Sequence, residues 1–228
     1  MYIPKQFRKE ETSDIVQFIR ANSFGVLFSQ HNGVPTATHL PFIISTEEDG
    51  SITLLSHMAK ANPQWKTMDS KDALAVFNGP HAYISASWYE EENTVSTWNY
   101  VSAHAHGKVE VIQDDQALLH ILKEATDFYE EGFEKPWRLE DNRETVESML
   151  NGIVGLRMRV ENLQGKWKLN QHHSTERKER VIQQLKKQPH YDSNEIARLM
   201  ELELQPKKEE AGTKPSSKLK KPVRFYNE

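Results

Sequence analysis

Cysteine is absent from the 228 residues, which excludes disulfide frameworks, thiolate metal clusters, iron–sulfur centres and cysteine nucleophiles together. No apolar run approaches the ~18 residues of a membrane span. The start carries Lys5, Arg8 and Lys9 with no apolar stretch behind them, so neither a membrane helix nor a secretory leader is expected. Hydrophobic residues are sparse, at 37% against roughly 45–50% in ordinary soluble domains. The 5 Trp, 7 Tyr and 9 Phe nevertheless supply bulk for a core, which argues against global disorder. The length suits one large domain with polar extensions, and the lack of cysteine is compatible with a reducing, cytoplasmic setting. GxGxxG, the Walker lysine loop, HExxH and GxSxG are all missing, so Rossmann, P-loop, zincin and hydrolase readings have no support. No internal repeat is visible.

The net charge of −4 hides an asymmetry. Residues 1–165 hold 14 Lys and Arg against 24 Asp and Glu, whereas residues 166–228 hold 15 against 9. An acidic part followed by a basic one suggests that the two meet different partners.

The pattern along the chain predicts a short helix, then β structure, then helices. Ser13 can cap a helix carrying Ile15, Val16, Phe18 and Ile19. Strand-like runs follow at 25–30, 36–45 and 51–57, separated by Asn32-Gly33 and by the turn at 47–50, and read as a meander. Asn62-Pro63 reads as a cap with proline in the first helical position, opening a short helix through Trp65 and Met68. Strands are expected again at 73–78, 81–87 and 94–112, with Gly79-Pro80 as a connection. Six or so antiparallel strands of this kind suggest a barrel. Asp114-Asp115 opens an amphipathic helix that closes at Gly132, and a helix at 144–150 leads to strands at 153–160 and 166–170. Two helices are expected at 175–187 and 193–204, the second with Asp192 and Glu195 spaced as a capping box. From Pro206 the chain is Lys, Glu, Pro and Ser, and is expected to be disordered in isolation. The expected organisation is a barrel domain over residues 1–170, a helical segment over 171–205 and a basic tail over 206–228.

Two segments could carry chemistry. Ser56-His57-Met58-Ala59-Lys60-Ala61-Asn62-Pro63 joins a strand to a helix start and gathers a hydroxyl, an imidazole, an ammonium and backbone N–H groups. That donor set suits a phosphate, and it equally suits a solvated loop with a satisfied cap. In the second segment, strand alternation places Trp98, Tyr100, Ser102, His104 and His106 on one face. Such a face suits a planar ligand or ordinary barrel packing. His104 and His106 could also begin a metal site with His57 or Glu110, but no third ligand stands at a diagnostic spacing, so no metal is expected.

Residues 56–63, 79–89 and 97–107, in this order and spacing, resemble the PaiB family of FMN-binding negative transcriptional regulators. Met1-Tyr2-Ile3-Pro4 and Gly165-Lys166-Trp167-Lys168-Leu169-Asn170-Gln171 also resemble that family, and the similarity spans about residues 1–205. The resemblance implies a mainly β, α+β fold with flanking helices: a split β-barrel of the FMN-binding type, related to pyridoxamine-phosphate oxidases, with a C-terminal helical segment. It implies a homodimer with FMN at the subunit interface and a role in repressing protease and sporulation genes. By position it places Thr38 and His39 beside the flavin and Ser56, His57, Lys60 and Asn62 near the phosphate. Ser85, Trp88, Trp98, Asn99 and Tyr100 come from the other motifs, with the partner subunit as one source. One departure stands out: the family's Lys-x-Ser-Gln-Asn is here Lys168-Leu169-Asn170-Gln171-His172, which changes two positions.

Two functions follow as expectations. The first is a flavin-binding regulator whose basic C-terminal part touches DNA through Arg177, Lys178, Arg180, Lys186 and Lys187, clustered on a helix that precedes another after a short turn. Those cations equally suit a solvated helix face. The second is a flavin oxidoreductase using His104 or Tyr100 as proton donor. With neither an arginine cluster for substrate nor an obvious catalytic pair near the motifs, no catalytic residue is assigned and the regulator is preferred.

Overall fold

The computed structural model describes residues 1–31 and 33–205. The tail at 206–228, and Asn32 of the Asn32-Gly33 turn, lie outside the described residues. In chain order the elements are β1 (Arg8–Lys9), α1 (Thr12–Ala21), β2 (Phe24–His31), β3 (Val34–Pro41), β4 (Ile43–Thr46), β5 (Ile52–Ala59), β6 (Lys71–Ile84) and β7 (Thr97–Ile112). They continue with α2 (Asp115–Glu130), α3 (Arg143–Met149), β8 (Ile153–Lys168), α4 (Thr175–Leu185) and α5 (Ser193–Leu204). Short 3-10 turns at Pro63–Thr67 and Ala86–Tyr89 separate β5 from β6 and β6 from β7. Among the described residues no helix is long and apolar enough to cross a membrane.

Two compact units share these elements. The first to be described comprises residues 12–77 and 103–164. Its sheet runs in the order β3-β2-β6-β7-β8-β5-β4. β3 and β4, at opposite ends of this path, are separated in the chain by Phe42 alone. A sheet whose two ends are tied by one residue must curl, which is the geometry of a barrel. The expected strand at 36–45 is thus two strands, and the expected meander is not formed. Pro41 has no N–H to continue the ladder, Phe42 donates its N–H to the Ser23 carbonyl (2.8 Å), and the buried Phe42 ring meets Phe77 edge-on. From there β4 pairs with β5 instead, Ile43 opposite Leu55.

α2 covers this sheet because its apolar positions fall on one stripe. Leu118, Leu119 and Ile121 are buried with Leu55, Ile112, Leu139 and Leu150, each full burial being worth about 1.5–3 kcal/mol. Asp114 Oδ1 accepts from the Ala117 N–H (2.9 Å) and starts the helix where the sequence predicts. α1 begins at Thr12, one residue before the expected Ser13 cap, and buries Ile15, Val16 and Ile19.

Among the described residues, the second unit comprises residues 1–11, 78–102 and 165–205. Here β1 pairs with the end of β8, Arg8 opposite Lys166. α4 and α5 bury Val181, Ile182, Leu185, Ile196, Ala197 and Met200. The expected capping box at α5 does not form. Asp192 makes no side-chain cap; its carboxylate accepts from the His81 N–H (3.1 Å) and lies 3.2 Å from His81 Nδ1, while Glu195 pairs with Arg198 (2.6 Å). Two expected interruptions also disappear. β6 runs unbroken through Gly79-Pro80, and β8 is one strand of 16 residues where two were expected. Proline is tolerated in a strand wherever its missing N–H would not enter the ladder.

Candidate functional site

In the unit of residues 12–77 and 103–164, the segment after β5 is held by a closed ring of hydrogen bonds. Asn62 caps the 3-10 turn, its Oδ1 accepting from the Gln64 N–H (3.0 Å). Asn62 Nδ2 donates to Thr38 Oγ1 (2.9 Å), and Thr38 Oγ1 donates to Gln64 Oε1 (2.5 Å). Gln64 is fully buried, and its Nε2 donates to the Leu27 carbonyl (3.1 Å) and to Ser29 Oγ (2.9 Å). Two of the sequence-derived candidates, Thr38 and Asn62, are therefore brought into direct contact by a residue that was not among them. The turn itself spans only five residues and its Gln64 N–H is already taken by Asn62 Oδ1, so that N–H is not free to meet an anion.

Lys60 is presented by the same segment. Its N–H donates to the Gly152 carbonyl (2.8 Å) and its carbonyl accepts from Trp65 Nε1 (2.9 Å). The backbone is pinned on both sides while the side chain is exposed, with no carboxylate partner among the described residues. His57 is half-buried, and loss of solvent pushes its pKa below the usual imidazole range, so it is neutral at pH 7. Ser56 faces the interior and donates to the Pro41 carbonyl (2.6 Å). His39 is exposed on β3 and stacks on Phe24 (6.2 Å).

In the other unit, Ser85 caps the Ala86–Tyr89 turn and shares a hydrogen bond with Ser87 Oγ (2.8 Å). Trp88 is half-buried within that turn. Burial alternates along the start of β7: Asn99 and Val101 are buried, while Trp98 is exposed and Tyr100 half-buried. Asn99 therefore stands on the opposite face from Trp98 and Tyr100, donating to Met200 Sδ of α5 (3.4 Å), with its Oδ1 buried and without a hydrogen-bond partner among the described residues. Trp98 is ringed by His81 (6.0 Å), Tyr83 (5.7 Å) and Tyr191 (5.0 Å). The Lys166 ammonium, buried, sits over the Tyr100 ring (5.1 Å) and donates to the Tyr2 carbonyl (3.2 Å). Lys168 Nζ donates to the Trp98 carbonyl (2.6 Å) and to Thr97 Oγ1.

The helix expected at 175–187 ends at Leu185, with Lys186 as its C-cap and Lys187 beyond it, and the basic cluster is largely engaged within the chain. Arg177 lies 3.9 Å over the Tyr89 ring and 3.7 Å from Glu91. Arg180 meets the same carboxylate at 2.6 Å, and Lys186 meets Glu201 at 2.5 Å. Lys178 and Lys187 have no ion pair among the described residues. On β7, the His104 and His106 rings lie 6.3 Å apart. Burial, with His106 adding to it, pushes His104 down to about 4. Among the described residues no group of three His, Asp or Glu side chains is placed to hold a metal ion.

Gln64, Trp65, Lys166, His81, Tyr83 and Tyr191 were missed from the sequence. A glutamine in a capped turn ordinarily faces water; only its complete burial marks Gln64. Trp65 had a readable signal, an indole placed five residues after the loop's lysine.

A family model described as "Putative FMN-binding domain" matches residues 1–162. The chain belongs to this family. "Protease synthase and sporulation protein PAI 2" of Bacillus subtilis (strain 168) is 38% identical over 203 residues, spanning 88% of this chain and 97% of the relative. An uncharacterized protein of Emericella nidulans is 28% identical, over 75% of this chain and 84% of its own length. Among solved structures, the FAD and heme binding protein from Mycobacterium smegmatis aligns with a TM-score of 0.53 at 17% identity, over 71% of this chain and 73% of its own. The flavocytochrome Anf3 from Azotobacter vinelandii aligns with a TM-score of 0.53 at 14% identity, over 73% of this chain and 72% of its own. At such identities the likeness is one of fold, and the fold of this family member is the flavin-binding split barrel expected from its sequence.

Proposed function

We infer that this family member binds FMN and acts as a flavin-binding regulator of protease and sporulation genes rather than as a turnover enzyme. The observation that carries the ligand is Lys60: a single cation on a pinned backbone, with no carboxylate of its own among the described residues. One such ammonium fits one terminal phosphate. Lys60 would hold the phosphate. The flavin, when bound, supplies a ring that can accept and return electrons. FAD carries a diphosphate between riboflavin and adenosine, with no terminal phosphate for a single ammonium to hold.

Support for regulation comes from the Bacillus subtilis relative, whose name ties it to protease synthesis and sporulation and whose length this chain matches almost fully. One of the two expected proton donors, His104, does not suit that role. With a pKa pushed down to about 4, it carries no titratable proton to give at pH 7 and is a poor general acid. Direct DNA contact is part of the proposal, made through Lys178 on α4 and Lys187 just past its end, since Arg177, Arg180 and Lys186 are held by Glu91 and Glu201.

Fluorescence titration of the purified chain tests the ligand: FMN should quench well before FAD, and equal affinity for both would overturn a terminal-phosphate site. Steady oxidation of NAD(P)H or pyridoxamine phosphate by the flavin-loaded protein would overturn the regulator reading. Absence of duplex binding at low salt, where phosphate contacts are strongest, would overturn direct DNA contact.

A further inference from the structure

Gln64 has an environment out of keeping with a surface turn. It is the most buried polar residue of its unit, and all of its amide's hydrogen-bonding groups are engaged. Nε2 has two hydrogens, and they go to the Leu27 carbonyl and Ser29 Oγ on β2, with the Thr36 carbonyl of β3 at 3.4 Å as a further acceptor. Two of these acceptors are backbone carbonyls, so the amide cannot be reversed without turning Oε1 against them. Oε1 in turn takes the Thr38 hydroxyl proton. That leaves Thr38 Oγ1 to accept from Asn62, and Asn62 Oδ1 to accept from the Gln64 N–H, which closes the ring.

We propose that Gln64 is the positioning residue of the anion-binding segment: it locks residues 60–64 onto β2 and β3 so that Lys60 is held where a phosphate can be taken. This rests on the FMN reading above. Gln64 acts through others, since its side-chain atoms are all spent on Leu27, Ser29, Thr36 and Thr38. A buried polar network is stiff only when every member is satisfied. Removing the amide takes the acceptor from the Thr38 hydroxyl and the donor from Ser29 Oγ and the Leu27 carbonyl, so position 64 no longer ties the turn to β2, and the Asn62–Thr38 bond is the tie to β3 that remains. The cost to phosphate binding is entropic, because a lysine on a loosened loop must be ordered when the ligand binds.

The test uses the full chain and the variant Gln64→Met, which keeps the bulk and discards the polar atoms, with Thr38→Val as a second break in the same ring. Backbone amide exchange at Lys60, Ala61, Asn62 and Gln64 is measured without ligand, and FMN and riboflavin affinities are measured by fluorescence. We expect exchange at 60–64 to quicken by about tenfold while β5 stays protected, FMN affinity to fall by about tenfold, and riboflavin affinity to stay within about twofold. If Gln64→Met fails to fold, Thr38→Val carries the same expectation for amide exchange, the readout that does not depend on a flavin contact by Thr38. Exchange unchanged at 60–64, or FMN and riboflavin weakened alike, overturns the proposal. If the unaltered chain binds neither flavin, the FMN reading fails, and amide exchange still decides whether Gln64 locks the segment.

Discussion

Replacing Lys60 by alanine isolates one charge. Its N–H bond to Gly152 and its carbonyl bond from Trp65 are main-chain interactions, so Lys60→Ala should leave the loop in place and remove only the ammonium. A charge-assisted hydrogen bond to a phosphate is worth about 1.5–3 kcal/mol. Water competes at an exposed side chain, which places Lys60 at the low end of that range. At about 1.4 kcal/mol per factor of ten, FMN affinity should fall on the order of tenfold. Riboflavin lacks the phosphate and should bind as before. Raising the ionic strength from about 0.1 M to about 1 M shortens the screening length from ~10 Å to ~3 Å, so the gap between the unaltered chain and the variant should narrow. Lys71→Ala, an exposed lysine at the start of β6, serves as control and should change neither ligand. The assay is quenching of flavin fluorescence at both salt concentrations. If Lys60→Ala weakens riboflavin as much as FMN, the lysine acts through folding or ring contacts and the phosphate assignment is wrong.

Three further outcomes are expected. A Cβ at Gly107 would stand 1.9 Å from the Arg159 carbonyl oxygen and 2.8 Å from its carbon, a backbone clash that only strand displacement can relieve; Gly107→Ala should cost at least about 3 kcal/mol in urea denaturation, the top of the usual overpacking range. Gly155→Ala meets Ile121 and Leu118 side-chain tips at 2.8 and 3.0 Å and should cost less, so equal losses would refute the argument. For pH, His104 and His173 are each pushed down to about 4 by burial, whereas an unfolded histidine takes up its proton near about 6.5. The unfolded chain then binds more protons between those values, and stability should fall as pH drops from about 6.5 to about 4. Urea midpoints that agree at about pH 7.5 and about pH 5 would contradict this, and His104→Gln with His173→Gln should flatten the slope. Finally, Trp98, Tyr83 and Tyr191 form a contiguous exposed aromatic group, as interface cores commonly do; light scattering should give a homodimer, and Trp98→Glu should shift it towards monomer. A monomer at micromolar concentration would remove the shared-interface expectation.

Local chemistry alone determined a good deal of this molecule. Asp114 starting α2, Asn62-Pro63 starting the 3-10 turn, the burial alternation along β7 and the two C-terminal helices are all decided by neighbours a few residues apart, which is why they are readable in the sequence. The three long motifs likewise carried the family. Pairing partners are another matter. Nothing in residues 36–45 announces that the chain breaks at Phe42 and crosses from one end of the sheet path to the other, because that break is decided by a ring burying against Phe77, 35 positions away. The same holds for polar groups. Asp192 leaves its predicted cap for His81, and Arg177 leaves the solvent for Tyr89 and Glu91, because segments distant in sequence bring better partners within reach. Gln64 is the clearest case: its residue type and its place in a turn point to water, and only the packing of β2 and β3 over it turns a surface glutamine into the buried centre of a hydrogen-bonded ring.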